Sequence, residues 1–148
     1  MGLVRTAERY HDISCGHRVV GHEGKCALMH GHNYRIHFMC EAVKLDSVGR
    51  VIDFSVIKSR LCMWLEEHWD HKFLAWDEDP DLTRLADEFS FINDSMVFVP
   101  FNPTAENMAD HLLLVIGPQQ LVGTQCTLTG VKVEETRKCT ASALLFPG

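Results

Sequence analysis

The sequence has no excess of basic residues, no long apolar run and no closely spaced cysteine pair. Its 14 Lys and Arg residues are outnumbered by 20 Asp and Glu residues, which gives a formal charge of −6 at pH 7. A surface of that sign repels phosphate backbones, so nucleic acid is not expected as a partner. No apolar run approaches the ~18 residues of a membrane span, and the first ten residues lack the apolar core of a signal peptide. We therefore expect a cytoplasmic protein that does not bind membranes.

The six cysteines are too scattered to form a disulfide framework. They occur singly, without a Cys-x-x-Cys motif, at Cys15, Cys26, Cys40, Cys62, Cys126 and Cys139. Such spacing is typical of a protein from a reducing compartment, in which most of these thiols are small core residues. The length of 148 residues and the hydrophobic content of 46% predict one folded domain over residues 1–148.

Alternation of polar and apolar residues predicts several strands. The first two are expected to pair across a glycine-bearing loop at residues 21–25, and the last two are expected to form a hairpin. The predicted strands cover residues 3–18, 31–42, 96–101, 127–136 and 139–146.

Two helices are predicted from their caps and apolar spacing. Asp53 is the expected N-cap of a helix that ends near Trp69, and Thr104 is the expected N-cap of a helix that ends at Gly117 and Pro118. Residues 76–94 are acidic and show no clear pattern. The order of elements predicts an α+β fold in which helices cover one face of an antiparallel sheet. The apolar stripe of the first helix is expected to consist of Phe54, Ile57, Leu61, Leu65 and His68.

The strongest local signal is the motif His30-Gly-His32 at the start of a predicted strand. Residues two apart in a strand project from the same face, so both imidazoles can reach one ion. Zinc accepts three or four such ligands, and His17 on the partner strand is the best third candidate. The alternative is that these histidines share no function.

Cys26 lies four residues before His30 and has three interpretations. It is a fourth metal ligand, a thiolate base or nucleophile beside a catalytic ion, or a buried thiol without a chemical role. The sequence alone leaves all three open.

At two further positions, a carboxylate occurs where it can have a chemical function. Asp70 precedes His71, and a carboxylate beside an imidazole fixes its tautomer; the alternative is a histidine that only interacts with a helix C-terminus. Glu135 shares a strand face with Val131 and Val133, so it needs a polar partner such as the amino-pyrimidine edge of a pterin or guanine. The alternative is a solvated strand end.

Taken together, the motifs resemble those of the 6-pyruvoyltetrahydropterin synthase / 6-carboxytetrahydropterin synthase family. The resemblance runs in order over nearly the whole chain. The matching stretches are Ser14-Cys-Gly-His17, Cys26-Ala-Leu-Met-His30-Gly-His32-Asn-Tyr34, Leu45-Asp-Ser-Val-Gly49, Val51-Ile-Asp-Phe54, Asp70-His71-Lys72, Asn102-Pro-Thr-Ala-Glu106-Asn107 and Val133-Glu-Glu135-Thr136.

The resemblance implies the tunnelling fold (T-fold), a four-stranded antiparallel sheet with two helices on one face. Subunits of this fold join into a barrel, which implies a homohexamer built from two trimers. Active sites are expected between subunits, with Glu135 and the metal serving one substrate from different chains.

The resemblance also assigns roles to residues of the expected site. It implies that zinc is held by His17, His30 and His32, that Cys26 is the catalytic proton acceptor, and that Asp70 and His71 are its relay partners. Glu135 is expected to anchor the pterin ring and to belong to the relay. Thr104 and Glu106 match a stretch near the pterin pocket.

The gap of three residues between Cys26 and His30 resembles that of bacterial 6-carboxytetrahydropterin synthases of queuosine biosynthesis. The resemblance therefore implies a lyase that converts 7,8-dihydroneopterin triphosphate to 6-carboxytetrahydropterin, acetaldehyde and triphosphate. Two alternatives stay open: a 6-pyruvoyltetrahydropterin synthase, which only eliminates triphosphate, and a non-catalytic zinc-binding module. The chain departs from the family pattern at Ala75, where Asn is frequent, and in residues 76–101, which are longer than expected.

Overall fold

In the computed structural model, which describes residues 2–146, six strands form one mixed sheet. In chain order they are β1 (Thr6–His17), β2 (His30–Glu41), β3 (Phe73–Trp76), β4 (Met96–Val99), β5 (Thr127–Glu134) and β6 (Thr140–Leu144). Their order across the sheet is β4-β3-β1-β2-β5-β6. The four strands β1, β2, β5 and β6 are antiparallel neighbours, as the sequence predicts.

The helices of the described residues follow the strands in chain order. Helix α1 (residues 54–68) contains Phe54–Ile57, a π-helical turn at Lys58–Cys62, and Met63–His68. Helices α2 (Pro80–Glu88) and α3 (Ser90–Ser95) are short. Helix α4 (residues 105–120) contains Ala105–His111, a π-helical turn at Leu112–Ile116, and Gly117–Gln120. No helix in this part of the chain is long and apolar enough to cross a membrane.

Both predicted helix starts are confirmed, and two details of the prediction are wrong. Asp53 accepts a hydrogen bond from the Ser55 amide, and Thr104 accepts one from the Asn107 amide. The first and last residues of the predicted apolar stripe of α1, Phe54 and His68, are exposed and do not pack against the core. Helix α4 does not stop at Gly117 but continues to Gln120. Pro118 fits there because it lies in the first positions of the turn that follows the π-helical turn, where no amide donor is needed.

The hairpin of β1 and β2 is the longest pairing in the sheet and determines the face that carries the candidate site. Its register pairs His17 with His30 and Cys15 with His32. Successive side chains alternate between faces. Ile13, Ile36 and other apolar residues therefore point toward α1 and α4 and form the core there.

Two strands extend the expected four-stranded sheet: β3, which was not predicted, and β4, which confirms the strand predicted at residues 96–101. Strand β3 pairs in parallel with β1, and β4 pairs in parallel with β3. Helices α2 and α3 form the crossover between them and account for the unexpected length of residues 76–101. Ala75, which replaces the frequent Asn, is fully buried in β3. A small apolar side chain suits that position because an amide there would need buried hydrogen-bond partners.

Candidate active site

Three imidazoles converge where the β1–β2 hairpin meets its connecting loop. His17 ends β1, and His30 and His32 begin β2, so all three project from the face of the sheet that carries the helices. One nitrogen atom from each ring lies within 4.8 Å of the other two. His17 Nε2 and His30 Nε2 are 3.0 Å apart. The predicted grouping of these three histidines is therefore confirmed.

Hydrogen bonds at Nδ1 leave the Nε2 atoms of His17 and His30 as electron-pair donors that a metal can use. His17 Nδ1 donates to the Pro103 carbonyl at 2.6 Å, and His30 Nδ1 donates to the Leu28 carbonyl at 2.7 Å. A carbonyl only accepts, so each Nδ1 carries the proton and each Nε2 presents a lone pair. Two lone pairs at 3.0 Å repel each other unless a cation lies between them. Tetrahedral zinc with N ligands at about 2.0–2.1 Å needs comparable spacings, of roughly 3.3 Å.

His32 supplies the clearest observation in favour of a metal. Its Nε2 atom is buried and has no hydrogen-bond partner among the described residues. Burial lowers the pKa of His32 and of His17. Neutral imidazoles are the form that ligates metals. The three residues therefore fit a metal ion in their number and orientation, and His17 and His32 favour the neutral form that ligates metals.

Glu135 lies directly beside the histidine cluster in the same chain. Its Oε1 atom is 3.5 Å from His17 Nε2 and 3.6 Å from His32 Nε2. The buried Tyr34 hydroxyl donates to the same oxygen at 3.4 Å. One chain thus brings Glu135 and the histidines together, and the expectation that they come from different chains is wrong.

Glu134 points away from the cluster, as the predicted alternation requires. Its carboxylate accepts a hydrogen bond from His37 Nε2 at 2.5 Å on the opposite face of the sheet. This contact lowers the pKa of Glu134. Only Glu135 of the two glutamates can therefore act at the histidine cluster.

Tyr34 is a site residue to which the sequence assigned no role. It is fully buried, and its hydroxyl is 3.2 Å from His17 Nε2. Burial raises the pKa of the phenol, and the neighbouring Glu135 carboxylate raises it further. The phenol therefore stays protonated and acts as a hydrogen-bond donor. The sequence feature that could have identified Tyr34 as a site residue is its position two residues after His32, on the same strand face.

Cys26 lies in the loop that joins β1 to β2. It belongs to a short 3₁₀ turn at Lys25–Ala27 and is half-buried. Its carbonyl accepts a hydrogen bond from the Val19 amide at 2.8 Å.

Asp70 and His71 form the predicted carboxylate–imidazole contact. Asp70 Oδ2 accepts from His71 Nδ1 at 2.8 Å, and Asp70 Oδ1 accepts from the Ser14 amide at 2.8 Å. His71 has a backbone φ of 60°, a strained value for a residue with a side chain, and its ring is 82% exposed. Burial raises the pKa of Asp70, but the hydrogen bonds from Ser14 and His71 outweigh that effect and lower it. Among residues 2–146, no hydrogen bond joins this pair to Cys26 or to the histidine cluster.

Cavities adjoin both groups. One of about 560 Å³ is lined by Asp70, His71, Arg35 and Arg137, and a second of about 500 Å³ reaches from His71 to His32. Each is large enough for a small ligand. The ring of His71 borders both cavities, so the exposed imidazole faces the space available to a substrate.

The two remaining predicted residues lie at the start of α4. Thr104 uses its hydroxyl to cap the helix, while Glu106 is exposed on the first turn. They are connected to the histidine cluster by the adjacent Pro103, whose carbonyl accepts a hydrogen bond from His17. That backbone contact between distant segments could not be found from spacing.

The fold and this site define a T-fold protein with a histidine cluster able to hold a metal. Residues 6–144 match the 6-pyruvoyl tetrahydropterin synthase family. The chain belongs to this enzyme family.

Individual relatives agree with this assignment. A 6-carboxy-5,6,7,8-tetrahydropterin synthase of Rickettsia typhi is 33% identical over 128 residues, which cover 86% of this chain and 91% of the relative. An uncharacterized protein of Wolinella succinogenes has a crystal structure that superposes with a TM-score of 0.81 at 23% identity, covering 97% of this chain and 99% of the other. The 6-pyruvoyl tetrahydropterin synthase of Caenorhabditis elegans has the same fold, with a TM-score of 0.66 at 21% identity and 97% coverage of each chain.

Proposed function

We propose that the protein is a zinc-dependent 6-carboxy-5,6,7,8-tetrahydropterin synthase in the pathway to queuosine and related 7-deazapurines. Its substrate is 7,8-dihydroneopterin triphosphate, and its products are 6-carboxytetrahydropterin, acetaldehyde and triphosphate. One water is consumed, and the pterin ring is reduced as the side-chain carbon attached to it is oxidised. No external oxidant or reductant is needed. The observation that carries the proposal is the buried histidine cluster beside Glu135 in a chain whose relative from Rickettsia typhi bears this enzyme's name.

Zinc is proposed as the metal because three imidazoles with one open position are a common catalytic zinc set. His17, His30 and His32 would hold it through their Nε2 atoms. When bound, the ion acts as a Lewis acid that lowers the pKa of a side-chain hydroxyl of the substrate.

The other residues bind the pterin and move protons. Glu135 accepts hydrogen bonds from the amino-pyrimidine edge, and the Tyr34 hydroxyl holds its carboxylate in place at 3.4 Å. The Cys26 thiolate accepts a proton from a hydroxyl-bearing side-chain carbon. His71, oriented by Asp70, exchanges protons on the other side of that side chain. Thr104 and Glu106, at the start of α4, are assigned to the surroundings of the pterin pocket, as the resemblance implies.

Homo-oligomerisation is part of the proposal, with a hexamer of two trimers as the expected form. Strands β4 and β6 end the sheet, and among the described residues no further strand pairs with their outer edges. Closure of several sheets into a barrel pairs such edges.

Two other functions remain as outcomes of the test. A 6-pyruvoyltetrahydropterin synthase would release triphosphate and retain the three-carbon side chain. A non-catalytic zinc module would use Cys26 as a fourth ligand. The test is incubation of the zinc-loaded protein with 7,8-dihydroneopterin triphosphate and determination of the pterin product by mass. 6-Carboxytetrahydropterin supports the proposal, whereas a pyruvoyl product or unchanged substrate contradicts it.

A further inference from the structure

The segment Asn102-Pro103 contacts both the histidine cluster and the loop that carries Cys26. The Pro103 carbonyl accepts from His17 Nδ1 at 2.6 Å. The neighbouring Asn102 side chain makes a two-point contact with Val20: Oδ1 accepts from the Val20 amide at 3.0 Å, and Nδ2 donates to the Val20 carbonyl at 2.9 Å. The side-chain amide thus pairs with the loop backbone as a neighbouring strand would.

Val20 is connected to Cys26 by a short path. The adjacent Val19 amide donates to the Cys26 carbonyl at 2.8 Å, which closes the loop on itself. The Val19 carbonyl also accepts from the His22 amide at 3.3 Å. A displacement of Val20 therefore displaces the turn that holds the thiol.

Asn102 is itself held firmly on the other side. Its carbonyl accepts from the Thr104 amide at 2.7 Å and from Asn107 Nδ2 at 2.9 Å. These bonds fix it to the start of α4. The loop around Cys26 and the ring of His17 are therefore both hydrogen-bonded to the same segment, Asn102-Pro103.

We propose that Asn102 is a positioning residue that holds the Cys26 thiol at a fixed place relative to the histidine cluster. This inference rests on the proposed function, in which the thiol is the proton acceptor. Asn102 acts through Val20 and the loop and not on the substrate. Its removal should loosen the loop while leaving the three imidazoles, which are carried by β1 and β2, able to hold metal.

The test measures the rate at which iodoacetamide alkylates Cys26 in the zinc-loaded enzyme, followed by peptide mass spectrometry. We expect Asn102→Ala to raise this rate about tenfold, because a loop that loses two hydrogen bonds opens more often. The exposed Cys139 serves as an internal reference whose rate should not change. Asn93→Ala, at an exposed position of α3, is the matched control.

Turnover provides the second readout. We expect Asn102→Ala to lower kcat about tenfold while KM stays within about twofold, because the thiol is displaced and the pterin contacts are retained. An unchanged alkylation rate overturns the proposal. Faster alkylation with an unchanged kcat also overturns it, since the loop would then move without affecting the reaction.

Two measurements do not depend on that variant or on the assigned reaction. In the wild type, slow hydrogen exchange at the Val20 amide supports the contact, and exchange as fast as in an unstructured peptide overturns it. Asn102→Asp keeps the acceptor but places an oxygen against the Val20 carbonyl, so it should also accelerate alkylation of Cys26. If the wild type forms no 6-carboxytetrahydropterin, the proposed function fails while exchange and alkylation still decide the role of Asn102 in the loop.

Discussion

Within one chain, the Oε1 atom of Glu135 lies 3.5 Å from Nε2 of His17. This relationship joins a group suited to bind the amino-pyrimidine edge of a pterin to a group suited to bind a metal. A substrate held by both would have its ring and side chain fixed by neighbouring residues of a single subunit. The Asp70–His71 pair, in contrast, contacts β1 at Ser14, and no hydrogen bond among residues 2–146 connects it to the histidine cluster.

The first prediction compares the two adjacent glutamates. Glu135→Gln should raise KM about tenfold to a hundredfold, because hydrogen bonds to a charged acceptor contribute roughly 1.5–3 kcal/mol. Glu134→Gln is the matched control and should change KM by less than about twofold, since Glu134 bonds His37 on the opposite face. Steady-state kinetics on both variants is the measurement. Equal effects would mean that Glu135 does not bind the pterin.

The second prediction concerns the metal. His32→Ala should leave the dialysed protein with little bound zinc, whereas the wild type retains about one ion per chain, because two imidazoles are a poor zinc set. His68→Ala, at an exposed position of α1, is the control. Elemental analysis of the two variants measures the effect. Wild-type zinc content in His32→Ala would remove His32 from the ligand set.

The third prediction separates a base from a ligand. Cys26→Ala should retain zinc and lower kcat about 10²–10⁴-fold, the range expected for loss of a general base. Cys139→Ala, at the exposed cysteine, should retain both zinc and activity. Zinc content and turnover are measured on the same samples. A loss of zinc together with the thiol would instead identify Cys26 as a fourth ligand and favour the non-catalytic module.

The fourth prediction follows from the contact of Arg18 with the fully buried carboxylate of Asp79, which caps α2. Burial alone would raise the pKa of Asp79, but the bonds from Arg18 and from the Leu82 and Asp81 amides lower it below its usual 3.8. A carboxyl whose pKa is lowered by folding stabilises the protein above its unfolded pKa. That stabilisation is lost as the pH falls through the lower, folded value.

Arg18→Met should therefore reduce the free energy of unfolding by about 2–3 kcal/mol at pH 7, since it leaves a buried carboxylate partly unpaired. The reduction should be smaller at pH 3, below the usual carboxyl value of 3.8, because the pH then approaches the lowered pKa of Asp79. Urea unfolding of metal-free protein at both pH values is the measurement. Asp81→Asn removes only the exposed partner of Arg18 and serves as the control. A reduction of equal size at both pH values would show that the ion pair is not its cause.

Local patterns were sufficient to predict the elements that carry most of the site. The alternation of β2 placed His30 and His32 on one face, and the same rule separated Glu135 from Glu134. The caps Asp53 and Thr104 were correct because capping depends on a few neighbouring residues.

The features that sequence reasoning missed depend on contacts between distant segments. Strand β3 is only four residues long and is stabilised by parallel pairing with β1 and β4. The hydrogen bond from His17 to the Pro103 carbonyl joins residues 86 positions apart. The contact between Asp70 and His71 was predicted, but the backbone φ of 60° at His71 was not, because no neighbouring residue type indicates it.

The central claim is that this site cleaves the substrate side chain between carbons as well as releasing triphosphate. The most direct measurement is the amount of acetaldehyde formed per triphosphate released from 7,8-dihydroneopterin triphosphate by the zinc-loaded wild type, with Cys26→Ala as the inactive control. We predict equal amounts of the two products. Triphosphate without acetaldehyde would contradict the account and identify a 6-pyruvoyltetrahydropterin synthase, and release of neither would contradict any enzymatic role on this substrate.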